Sequence, residues 1–131
     1  MSAVPFSPEW FERANAALAA ERDASAVGEE QSVAVEVVIS GGEDGKLSTR
    51  WEVADGRLVG VRPVAEGDPP PAASIPLVHA DASAIVAGER DPAVSYMRGD
   101  IKPEGRSAAV LALMSALARP ACRDALAAAS T

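Results

Sequence analysis

The chain has one cysteine, one histidine, few aromatic residues and an excess of acid over base. Each shortage excludes something. Cys122 alone permits no internal disulfide and fits a reducing compartment such as the cytoplasm. His79 alone rules out a multi-histidine metal site. Lys and Arg number 12 against 19 Asp and Glu, for a net charge of −7. No basic stripe is present to neutralise phosphates, which argues against a nucleic-acid partner and against attachment to anionic membranes. No apolar run approaches the roughly 20 residues of a membrane span, so no stable membrane insertion is expected. The opening MSAVPFSPEWFERANAAL carries no basic region followed by an apolar stretch, so no secretion signal is expected.

What is present is small apolar side chains, mainly Ala and Val. The usage, rich in Ala, Pro and acids, suggests by association a high-GC bacterium. The 131 residues read as one domain, 1–131, with no internal repeat. A chain of this size buries roughly two thirds of the surface it exposes when unfolded, enough for a core without staples.

Ser7-Pro8-Glu9 is a helix start, with Ser as N-cap, Pro at the first helical position and an acid in the first turn. The helix is expected from Pro8 to about Arg22, with Trp10, Ala14, Ala17, Leu18 and Glu21 near one face and Phe11 beside them. Asp23 to Glu30 is polar and reads as a loop. Val33 to Ile39 is β-branched and strand-like. Gly41 to Gly45 is a hairpin loop, and Lys46 to Val53 returns as a second strand with Leu47, Thr49, Trp51 and Val53 on one face. Asp55-Gly56 is a type I′ turn signal leading into a third strand, Arg57 to Arg62. These strands form an antiparallel meander. Pro63 to Ala73, with three consecutive prolines, reads as a surface connection or as a rim at a ligand entrance. Ser74 to His79 fits a short fourth strand that Pro76 keeps at an edge or bulge.

Asp81 to Gly105 then packs several helix signals into a short space. Asp81 is expected to cap Ala82 to Ala87, and Gly88 to end that helix. Asp91 caps again with Pro92 at the first helical position, and Gly99 ends the second short helix. Asp100 to Glu104 reads as a strand, interrupted by Pro103. Arg106 to Ala118 is an apolar helix with Ala109, Val110, Leu113, Met114 and Leu117 on one broad face. Pro120 starts a last helix to about Ala129.

Enzyme signatures are scarce. His79 lies near Asp81 and reads as structural or as a general base. Cys122, in an Ala-rich helix, reads as an inert buried thiol. Gly41-Gly42 joins strand to strand, unlike a phosphate loop. Glu36, Glu52, Asp81 and Glu104 show no pairing as acid and base. No catalytic residue, metal ligand or cofactor is assigned. An Ala-filled core either brings its layers close or leaves a void, which costs about 24 cal/mol per Å3 when empty in T4 lysozyme variants. A bound aliphatic molecule would recover that loss.

Gly88, Asp91, Pro92, Ala93, Tyr96, Met97, Gly99, Ile101, Lys102 and Gly105 follow a spacing that resembles the second half of sterol carrier protein 2 (SCP2)-like domains. Their pattern there is G-x-x-D-P, a hydrophobic pair, then G-x-[IL]-K-x-x-G. The resemblance is close over about half the chain and extends to nearly all of it by element order. Pro103 departs from it. The resemblance implies an α/β (α+β) fold with a five-stranded, mainly antiparallel sheet, helices on one face and an enclosed apolar tunnel. It implies non-catalytic binding, and transfer, of a fatty acid, fatty acyl-CoA, sterol-like or polyketide-like molecule, without a cofactor. Trp51, Tyr96, Met97, Ile101, Leu113, Met114 and Leu117 would line the tunnel, with Trp51 and Tyr96 able to reach a polar headgroup. Two alternatives stand beside this reading. One is a small cyclase- or isomerase-like enzyme using His79, Asp81, Tyr96 and Glu52. The other is an interaction module that forms a homodimer through a Trp10/Phe11 face.

Overall fold

The computed structural model describes residues 5–21, 33–42, 45–54, 57–99 and 102–130. The Asp23–Glu30 loop, the Asp55-Gly56 turn and Ile101 lie outside the described residues.

Helix α1 (Pro8–Glu21) begins as its sequence requires. The Ser7 Oγ accepts the Trp10 N–H at 3.2 Å, satisfying a donor that the helix itself leaves free. Strands β1 (Val33–Gly42), β2 (Gly45–Ala54) and β3 (Arg57–Pro63) follow as an antiparallel meander. β4 (Ala73–Val78) crosses to the far side of β1 and pairs with it in parallel. β5 (Glu104–Gly105) adds a two-residue outer edge, for a sheet order β3-β2-β1-β4-β5. The sheet is therefore mixed, with one parallel pair among three antiparallel ones. Pro76 sits on a length of β4 that β5 leaves uncovered, where a missing N–H is tolerated.

Helices α2 (His79–Val86), α3 (Pro92–Met97), α4 (Ser107–Ala118) and α5 (Pro120–Ala129) complete the described fold. α2 starts three residues earlier than its sequence suggests: its N-cap is Val78, without a side-chain cap. Asp81 lies in its first turn, where its carboxylate pairs with Arg90 instead of capping. A carboxylate there still faces the positive end of the helix dipole. Asp91 does cap α3, accepting from the Ala93 N–H at 2.9 Å. Gly88 and Gly99 end their helices with positive φ, at 83° and 82°.

Burial is one-sided. Val35, Val37 and Ile39 of β1 alternate with half-buried neighbours, as do Thr49, Trp51 and Val53 of β2. The buried face meets α4, whose Ala109, Val110, Leu113, Met114, Ala116 and Leu117 are all buried. The connection between β3 and β4 crosses the opposite face. Arg62 grips Asp68 with two hydrogen bonds of 2.8 and 2.9 Å, and Arg50 donates to the Pro69 carbonyl at 2.8 Å. The three prolines thus form a strapped surface connection, and no residue of it lines either cavity described below. Trp10 and Phe11 are buried inside this chain rather than presented as an outward face, because α1 packs them under α5 and against Phe6.

Candidate ligand site

Between sheet and helices lies an entirely apolar cavity of about 30 Å3. That holds about two waters and is a tenth or less of the roughly 300–1,000 Å3 of ordinary small-molecule sites. Among the described residues, the space between sheet and helices shows no lipid-sized tunnel. Side chains fill the space instead: Trp51 from β2, Met114 and Leu117 from α4, and Ile75 and Leu77 from β4 converge on it.

Of the residues expected around a ligand, Trp51, Leu113, Met114 and Leu117 line the cavity. Tyr96 is half-buried and packs against the core without reaching the cavity wall. Met97 is 84% exposed, because the short α3 ends there and turns its last residue to solvent. Ile101 lies outside the described residues. Cavity residues not anticipated from sequence include Val37, Ile75, Ala82, Val86, Pro92 and Phe6. Strand alternation places Val37 inward, and a local signal marks Phe6. It sits just before the Ser7 cap and packs on Phe11 four residues into the helix, with ring centroids 6.4 Å apart. That pairing is a hydrophobic staple.

The polar atoms near the cavity are already engaged. Thr49 is fully buried, and its Oγ1 donates to the Val37 carbonyl at 2.8 Å. The same oxygen accepts the Trp51 indole N–H at 2.8 Å. The Trp51 donor is therefore occupied and does not await a headgroup. Among the described residues no buried side-chain polar atom lacks a partner.

Phe6 is the one described non-glycine residue with positive φ, at 69°. Such a conformation costs an aromatic residue about 1–3 kcal/mol and persists only when its surroundings hold it. Here the Trp10 ring lies tilted at 55° with its centroid 4.9 Å away, and His79 meets the ring edge-on at 5.8 Å and 81°. His79 Nδ1 lies 3.3 Å from Ser83 Oγ. Outside Phe6 is a second, open groove of about 460 Å3.

The groups weighed for catalysis do not gather. Asp81 pairs with Arg90, Glu52 lies 3.8 Å from Arg62, and Glu36 accepts from Ser74 at 3.3 Å. No group of three metal-binding side chains occurs among the described residues. Burial pushes the Cys122 thiol up to about 11, which keeps it protonated and unreactive at neutral pH. No described helix is long and apolar enough to cross a membrane.

No family model and no curated protein matches the chain. Solved structures do. A crystal structure of sterol carrier protein 2 superposes with a TM-score of 0.64 at 16% identity, covering 94% of this chain and 97% of that one. A conserved hypothetical protein of Thermus thermophilus, with sterol carrier protein suggested in its name, reaches a TM-score of 0.67 at 16% identity, covering 99% and 94%. The palmitated SCP2L2 of Aedes aegypti gives 0.60 at 14% identity, covering 91% and 96%. These likenesses, together with the strand order and the helices on one sheet face, identify the chain as having the sterol carrier protein 2 fold.

Proposed function

We propose that residues 1–131 form a single domain, working in the cytoplasm, that binds a hydrophobic molecule carrying an aliphatic chain between sheet and helices, and transfers it. The observation that carries this reading is the all-apolar cavity where Trp51, Met114 and Leu117 meet. It lies at the junction of sheet and helices in a fold whose Aedes aegypti neighbour is palmitated. Each methylene buried there contributes roughly 0.8 kcal/mol. Met114 and the leucines of α4 can change rotamer to enlarge the space, and Met does so at low cost. The ligand class is fatty acid or fatty acyl, with no cofactor and no catalytic residue needed for binding.

Native mass spectrometry of the purified protein, followed by denaturing extraction, tests this directly. A bound mass of a few hundred daltons, released on denaturation, is expected. Met114→Trp fills the cavity and is expected to weaken palmitate binding at least about tenfold, while overpacking costs about 1–3 kcal/mol of stability. A folded variant that binds palmitate as the parent does would overturn the assignment.

A further inference from the structure

The inner cavity and the outer groove share a wall, and that wall is Phe6. Resting on the lipid-binding reading above, we propose that the groove is the mouth of the site and the seat of the ligand's polar end. Phe6 is the residue that closes the passage between the two. The ligand class is a long-chain carboxylic acid. Its tail passes Phe6 to lie against Trp51 and Met114, and its carboxylate stays in the groove beside His79.

Four observations carry this. The inner cavity, at about 30 Å3, holds no chain unless it opens into adjoining space, and the groove beyond Phe6 supplies about 460 Å3. Phe6 is held at a φ of 69°, a conformation that persists only while its neighbours hold it, so the position of its ring depends on the packing around the groove. The groove changes character along its walls: Ile39 and Leu47 suit methylenes, whereas the His79 ring offers an N–H to an oxygen. Gly42 keeps the ring there, since a Cβ at that position would stand 3.2 Å from His79 Cδ2.

The test uses cis-parinaric acid and its methyl ester as probes of the full chain, with stopped-flow fluorescence for rates and titration for affinity. Phe6→Leu keeps an apolar side chain but removes the ring, and is expected to raise the association rate about threefold or more. Leu47→Trp narrows the groove without touching Phe6 and is expected to lower that rate by about the same factor. It carries the test if Phe6→Leu fails to fold. His79→Ala is expected to weaken binding of the acid about 3- to 10-fold, the worth of one hydrogen bond, and to leave the ester unchanged. If the parent binds the acid but the folded variants keep its rates and its acid-to-ester ratio, the mouth lies elsewhere. If the parent binds neither probe, the lipid-binding reading falls and takes this inference with it.

Discussion

Asn15 of α1 takes both main-chain hydrogen bonds of Val61 in β3. Its Nδ2 donates to the Val61 carbonyl at 2.8 Å, and its Oδ1 accepts from the Val61 N–H at 2.9 Å. β3 is an outer strand, so these groups would otherwise form an open template for another chain. The same Nδ2 donates at 2.8 Å to the Phe11 carbonyl. One side chain thus completes the sheet edge, anchors α1 and fixes the helix that carries Trp10 and Phe11 beneath Phe6.

Asn15→Ala leaves the two Val61 groups without their partner. The expected loss is about 1–3 kcal/mol, within the range for orphaned buried polar groups. Urea unfolding checks it, and concentration-dependent light scattering should rise as the β3 edge opens. An unchanged unfolding midpoint would mean that water replaces the amide without cost.

Thr49→Val preserves the shape of the side chain but removes the hydroxyl between Trp51 and the Val37 carbonyl. Two buried polar groups lose their partner, for an expected loss of about 1–3 kcal/mol. The released indole should also change its emission. A variant as stable as the parent would show that neither bond matters.

Gly105→Ala is expected to be among the most damaging small substitutions. The Gly105 φ is 103°, and a Cβ there would lie 2.8 Å from both the Ala72 carbonyl oxygen and the Ala73 Cα. Both clashes are with backbone, so relief requires moving β4 or β5. A loss of about 2–4 kcal/mol is expected in thermal or urea melts. Wild-type stability would mean that β5 pairing is dispensable.

Asp68 gives the fold a dependence on acid. The Arg62 guanidinium, then the Ala65 N–H, hold its carboxyl down at about 2, below an ordinary 3.8. A depressed folded-state value contributes stability that is present above 3.8 and lost as the pH falls towards 2. Asp68→Asn should therefore melt lower than the parent at neutral pH, and the gap should close across that acid range. A gap that persists at pH 2 would place the effect elsewhere.

Much of this architecture is local and was legible. Ser7 and Asp91 cap where short-range chemistry puts them, because a cap depends on three or four consecutive residues. The meander followed from β-branched alternation and turn signals. Trp51, Leu113, Met114 and Leu117 reached the cavity because strand and helix periodicity already set their faces. Other features depended on partners distant in sequence. Asp81 lost its capping role to Arg90, Met97 was turned outward where α3 ends, and Asn15 found a strand 46 residues away. The sequence by itself determined the elements and their inward faces, since those arise from neighbours along the chain. Only the tertiary structure decided how much empty space remains between the layers, that Trp51 spends its donor on Thr49, and that Phe6 stands between cavity and groove. Those are outcomes of close packing among residues whose separation in sequence carries no distance information.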